Sequence, residues 1–271
     1  MILVQLSDLH LREDHRAPRH DVLEALTLAV DVINRMQPQP DAVLFSGDLI
    51  ERSTRDYTPV LAALRGLQAP VLPLAGNHDE PAAFRAAFAG YAAYAPGHLS
   101  FACPLAGGLL IGLDSNAADG TALIDEERLA WLSDVLKRGD APAVVALHHP
   151  PFATGIPRVD AAPFPGAGAL KELIAQSPRV VRLLAGHTHR AIHTLWAGVQ
   201  ASTAPALGHA LALSLLPDGG HAHSPEAPAL QIHLIDGEAC ITHTLALAPT
   251  DPVEGMKTAL SAAQRAKFIA P

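Results

Sequence analysis

Aspartate, asparagine and histidine recur in five short segments of this chain. They read Asp8-Leu9-His10, Gly47-Asp48, Gly76-Asn77-His78-Asp79, His148-His149-Pro150 and Gly186-His187-Thr188-His189. Carboxylate, amide oxygen and imidazole form a mixed oxygen and nitrogen donor set. Such a set suits Zn, Mn, Fe, Co or Ni better than Ca, and it is not an all-sulfur site. The donors outnumber the positions of one tetrahedral ion. Two ions sharing one ligand fit better, because a carboxylate can bridge with its two oxygens. Gly47, Gly76 and Gly186 let the backbone pass close to such ions. Taken singly, Asp8 and Asp48 read as turn residues at strand ends, and Asn77 as a left-handed turn beside glycine. The order and company of the five segments favour a metal site.

These segments need elements to bring them together. Each follows a short apolar run that reads as a buried strand: Ile2 to Leu6, Ala42 to Phe45, Val71 to Leu74, Val144 to Leu147 and Val180 to Leu184. Leu109 to Leu113 is a further strand, followed by Asp114-Ser115-Asn116 as a sheet-end turn. Between them, helical spacing of apolar residues predicts helices over 20–36, 57–67 and 125–138. Strands alternating with helices mean a layered α/β protein. After Ile192 the pattern turns to strands, ending with Ile232 to Ile235 and Cys240 to Leu247, and residues 254–267 suit a terminal helix. The late strands suggest a second sheet, hence a β-sandwich covered by helices. Ligands of α/β sheets bind beyond the carboxyl ends of strands, where these polar segments would converge. Proline and glycine gather at 150–168 and 217–228. Long loops of this kind are often functional, and 150–168 with 205–228 are expected to wall a substrate pocket.

Composition narrows the classes. Hydrophobic residues make up 49% and charged residues 17% of the 271 residues, against disorder and in favour of a substantial core. No apolar run reaches the roughly 18 residues that span a bilayer. The N-terminus has no basic n-region or small-residue cleavage site, and Cys103 and Cys240 form no CxxC pair. A cytoplasmic protein without membrane partners is the expectation. The net charge of −8 argues against a nucleic-acid partner, whose backbone calls for a basic face.

The five segments, in this order and each at a strand end, resemble the calcineurin-like metallophosphoesterase superfamily. Within it, they resemble the class III cyclic-nucleotide phosphodiesterase and glycerophosphodiesterase group. The likeness runs from residue 8 to 189, with no departure in the ligand set. It implies a four-layer α/β/β/α sandwich in one domain over 1–271, with cap loops and a strand-rich C-terminal part. It implies one ion held by Asp8, His10 and His189, a second by Asn77, His148 and His187, and Asp48 bridging both. His78 would face the scissile phosphate, stabilising charge or protonating the leaving oxygen, with Asp79 orienting it. His149, before Pro150, reads equally as support for the ligands or as a catalytic group. His209, in Pro205-Ala206-Leu207-Gly208-His209, is similar to a later active-site histidine of the glycerophosphodiesterase-like members. His15, His20, His98, His193, His221, His223, His233 and His243 read as surface or sheet residues.

The chemistry implied is phosphodiester hydrolysis with two divalent ions (Mn, Fe, Zn or Co). Two ions about 3.5–4 Å apart make hydroxide from bound water at neutral pH and neutralise charge at phosphorus. Direct attack without a phosphoenzyme is expected, since no Gly-x-Ser-x-Gly motif is present. The expected substrates are small diesters, either cyclic nucleotides or glycerophosphodiesters. Phosphomonoesters are the alternative, and a non-catalytic scaffold would require lost ligands. Phe152 and Phe164 offer a hint of base stacking at the pocket. The Ala- and Leu-rich C-terminal third suits either a homo-oligomer contact or the second sheet.

Overall fold

The computed structural model describes residues 1–15, 21–220, 222–237 and 239–247. The chain builds two sheets whose strands alternate with helices. The first sheet opens with β1 (Ile2–Leu6), β2 (Ala42–Ser46) and β3 (Val71–Leu74), which run parallel. The second contains β4 (Phe101–Leu105), β5 (Gly108–Gly112), β6 (Ala143–Ala146), β7 (Val180–Ala185), β8 (Ile192–Trp196) and β9 (Val199–Thr203). The chain then returns to the first sheet as β10 (Ala229–Asp236) and β11 (Ala239–Ala246). The orders are β11-β10-β1-β2-β3 and β4-β5-β6-β7-β9-β8.

The side-chain period of two explains the layering. In β1, Leu3 points to the other sheet, while Val4 and Leu6 point to the helices. In β2, Ala42 and Leu44 pack between the sheets, and Val43 and Phe45 pack outward. Val144 and Ala146 of β6 lie between the sheets, with Ala143 and Val145 outward. Both faces are covered, so these strands read as continuous apolar runs. Helices α1 (Val22–Arg35), α2 (Thr58–Leu64) and α3 (Pro81–Ala87) close the first sheet through Leu26, Val60 and Phe84. On the second, α4 (Glu126–Leu136) does so through Leu132. The short α5 (Pro157–Asp160) buries none of its residues, and α6 (Ala167–Ala175) packs Leu170 and Ile174. This is the α/β/β/α sandwich.

Sequence and structure differ in four places. The late strands form no sheet of their own. β8 and β9 extend β7, whereas β10 pairs antiparallel with β1, Ile2 opposite Leu234. Strand β4 is disguised in the sequence by Pro104; proline is tolerated at this sheet edge, where its missing N–H is not needed. Helix α3 is seven residues long and fully buries only Phe84, too little to show a period. It starts where Pro81 follows Glu80, whose carboxylate accepts from Ala82 N and Ala83 N. The loop expected over 150–168 contains α5. The terminal helix over 254–267, with His20 and His221, lies outside the described residues. No helix among the described residues is long and apolar enough to cross a membrane.

Candidate metal centre

The site lies beyond the carboxyl ends of β1, β2, β3, β6, β7 and β9. Past β1 the backbone stays paired to the segment after β2: Asp8 N donates to Gly47 O and His10 N to Asp48 O, both at 3.0 Å. Gly208 N donates to Asp8 O at 2.9 Å, drawing His209 alongside. Seven non-glycine residues have positive φ among those described, and five belong here: Asp8, His10, Asp48, His187 and His189. Left-handed backbone at a non-glycine costs about 1–3 kcal/mol and persists only where its surroundings hold it. The turns aim these side chains at one another.

Two donor groups result. On one side Asp8, His10 and His189 bring ligand atoms within 4.8 Å of one another. His10 Nε2 and His189 Nε2 stand 3.0 Å apart, and Asp8 Oδ1 is 3.6 Å from His189 Nε2. On the other side, Asn77 Oδ1 lies 2.9 Å from His148 Nε2 and 3.0 Å from His187 Nδ1. Asp48 sits between them: its Oδ2 is 3.3 Å from His10 Nε2 and 3.3 Å from His148 Nε2. Imidazole nitrogens and carboxylate oxygens facing each other across this space are a ready cation cradle. Neighbours fix their aim. His148 Nδ1 lies against Ser46 O at 2.9 Å and His189 Nδ1 against His209 O at 2.8 Å, which leaves each Nε2 facing inward. His187 N donates to both Asp8 carboxylate oxygens at 3.1 Å.

Charge follows from burial. Burial opposes ionisation of Asp48, but His148 and His10 beside it outweigh that and hold its pKa well below the usual range. Burial raises Asp8 to about 6. Burial also favours neutral rings, lowering His189 and His209 to about 3 and His187 well below its usual value. For His148 burial is overcome by Asp48, and the ring is raised to about 9. Asp48 is thus ionised between His10 and His148, both with raised pKa values, and a divalent cation bound here would take the place of their ring protons. The donor set therefore fits divalent metal.

Gly76 permits this closeness. A Cβ there would lie 2.2 Å from Asp48 Oδ1 and 2.3 Å from Asp48 N. Gly76→Ala is expected to destabilise the fold by about 1–3 kcal/mol through overpacking. An unchanged urea midpoint would show that the Asp48 loop yields freely.

His78 projects into the open side of the site. Its N donates to Asp48 Oδ1 at 2.7 Å, and its Nδ1 meets Glu51 Oε1 at 2.5 Å. Glu51 also lies 3.4 Å from His10 Nδ1 and 3.8 Å from Arg12. Glu51, not Asp79, orients His78. Asp79 instead accepts from Gly76 N at 2.8 Å, Leu49 N at 3.3 Å and Tyr57 Oη at 2.9 Å, tying the second and third loops together. Glu51 escapes a local reading because its place depends on pairing: Leu11 bridges Ile50 in parallel register, which sets Arg12 beside Glu51. His149 stands beside the second donor group, its ring 4.6 Å from that of His187 and a ligand atom within 4.8 Å of those of His148 and His187, with its Nδ1 3.0 Å from Ser115 O. The 114–116 turn supports the third loop, Asn116 Nδ2 donating to Ala75 O at 3.0 Å. His233 is fully buried within the first sheet, while His223 lies 4.8 Å from His209, ring to ring, at the pocket.

A cavity of about 450 Å³ opens from the site. Ile156, Arg158, Val159 and Ala162 form one wall, and the other is formed by described residues of 209–220 with Ala222 and His223. Phe152 and Phe164 do not line it; Phe152 is buried and Phe164 packs against His149. A second cavity of about 200 Å³, with Arg52 and Arg55, shares Asn77 and His78 with the first as lining residues.

Known proteins resemble this chain in sequence and fold. A profile of the calcineurin-like phosphoesterase family matches residues 1–191. A probable glycerophosphodiester phosphodiesterase of Arcobacter nitrofigilis is 31% identical over 252 residues, 90% of this chain and 92% of the relative. A probable cyclic nucleotide phosphodiesterase of Rhodopseudomonas palustris is 30% identical over 250 residues, 90% and 91% of the two chains. A dimetal phosphatase structure from Danio rerio shares the fold, with a TM-score of 0.68 at 13% identity over 92% of this chain and 96% of that one. The chain belongs to the calcineurin-like phosphoesterase family, metal-dependent hydrolases of phosphoric esters.

Proposed function

We propose that the chain is a phosphodiesterase for small diesters that works with two divalent ions. Asp8, His10 and His189 would hold one ion, Asn77, His148 and His187 the other, and Asp48 would lie between them. When bound, the ions supply a water of lowered pKa and neutralise charge on the phosphoryl oxygens. His78, held by Glu51, hydrogen-bonds a phosphoryl oxygen or hands a proton to the leaving alkoxide. His209, kept neutral by burial, lines the pocket on the His10 side.

The observation that carries the diester reading is that two cavities share Asn77 and His78 as lining residues. A diester has two alcohol arms, and each finds its own space beside the reacting phosphorus; a monoester needs only one. The relatives named as glycerophosphodiester and cyclic nucleotide phosphodiesterases support the same reading. The test compares bis-p-nitrophenyl phosphate with p-nitrophenyl phosphate after loading with Mn. The expected result is at least tenfold higher kcat/KM for the diester, equivalent to about 1.4 kcal/mol of transition-state preference. A monoester preference would make the protein a phosphatase on the same site.

A further inference from the structure

The larger cavity carries an uneven charge. Among the described residues its lining cations are Arg12, Arg158 and Arg190, and its lining carboxylates are Asp48 and Glu51. Both carboxylates are engaged inside the site, Asp48 by His10 and His148 and Glu51 by His78. Two of the arginines are also engaged. Arg190 donates to Leu211 O and pairs with Glu226 at 2.8 Å, and Arg12 stands 3.8 Å from Glu51. Arg158 has no hydrogen bond or ion pair among the described residues. It sits on a wall otherwise formed by Ile156, Val159 and Ala162. Among the described residues no phenylalanine, tyrosine or tryptophan lines the cavity, so these residues build no aromatic cage for a quaternary ammonium.

The wall is fixed in place. Asp160 accepts from Thr154 N and Thr154 Oγ1 at 2.7 Å and from Gly155 N at 2.9 Å. These bonds close the 154–160 segment on itself, and Pro157 starts α5 with a pre-set φ. Arg158 is therefore presented by a braced turn rather than a free loop. The whole chain is acidic, at −8, so the cationic mouth is a local feature set against the general field.

We propose that Arg158 is a specificity residue, selecting phosphodiesters whose alcohol arm bears a second anionic group, a carboxylate or a phosphate. The proposal rests on the diesterase reading above and adds the charge of the substrate's arm. A guanidinium receives either group through paired N–H donors. The apolar residues beside it pack against the carbon skeleton of the arm. An arm carrying a trimethylammonium would meet Arg158 with no unengaged carboxylate among the described lining residues to offset it.

The test uses the metal-loaded full chain and two p-nitrophenyl diesters with the same leaving group. One has a carboxyethyl arm and the other a choline arm. For the wild type the expected ratio of kcat/KM, carboxylate over choline, is tenfold or more, expressed mainly in KM. Arg158→Gln is expected to lower that ratio about tenfold, Arg158→Glu to reverse it, and Arg158→Lys to keep most of it. A merely structural arginine would not reverse the preference on changing sign. A wild-type ratio near one, or a ratio that Arg158→Glu leaves within twofold, overturns the proposal. Turnover of neither diester, nor of bis-p-nitrophenyl phosphate, overturns the diesterase reading and the selectivity with it.

Discussion

Asp48→Ala is expected to lose metal and turnover together. Its Oδ2 is the one carboxylate oxygen placed 3.3 Å from a ring nitrogen of each donor group. Removing it strips both halves of a shared anion. It also leaves His148, raised to about 9 largely by Asp48 against the effect of burial, without its counter-charge. Losing a partner that only supports a ligand costs about 10–100-fold in metal affinity or activity. A shared ligand should cost at least the upper end, with metal content falling to one ion per chain or fewer. Elemental analysis of the purified variant beside the wild type reads this directly. Retention of two ions at normal turnover would remove Asp48 from the centre. Asp48 Oδ1 also accepts from His78 N at 2.7 Å, so the variant should disturb the neighbouring loop as well.

His78→Ala is expected to separate the two properties that Asp48→Ala loses together. The His78 ring belongs to neither donor group that flanks Asp48, and it reaches the cavity from a loop whose backbone Asp48 holds. Metal content should stay at the wild-type value. The rate should fall by about 10²–10⁴, the range for a positioned acid or base. The fall should be smaller for p-nitrophenyl esters than for alkyl esters, because nitrophenolate leaves without needing a proton. Equal losses on both would assign His78 to charge stabilisation at the phosphoryl oxygens instead. Unchanged turnover on alkyl esters would contradict a catalytic role.

Much of the donor arrangement was legible because each donor sits within a few residues of a strand end. Asp8 and His10 follow β1, Asp48 follows β2, and His187 and His189 follow β7, so sequence order maps onto one edge of the sandwich. Parallel register does the rest, bringing the loops after β1 and β2 side by side. What stayed hidden depends on contacts between segments far apart in sequence. Glu51 gains meaning only once Leu11 bridges Ile50. His223 reads as an ordinary surface residue until the fold brings its ring to 4.8 Å from that of His209 at the pocket wall. The destination of the late strands is hidden for the same reason. Nothing local in Ala229–Asp236 says that it pairs with Ile2–Leu6 rather than with its nearer neighbours. The opposite error came from the aromatics: Phe152 lies in a pocket-forming segment by sequence, but its side chain turns into the core below the second sheet.

The central claim is a pair of divalent ions sharing Asp48. The most direct measurement is titration of Mn into metal-free protein, followed by electron paramagnetic resonance. Two equivalents should bind, and the spectrum at saturation should show the multiline signal of two exchange-coupled ions, which Asp48→Ala abolishes. A single equivalent, or two ions giving only the uncoupled six-line pattern of isolated Mn, would contradict a shared dinuclear centre.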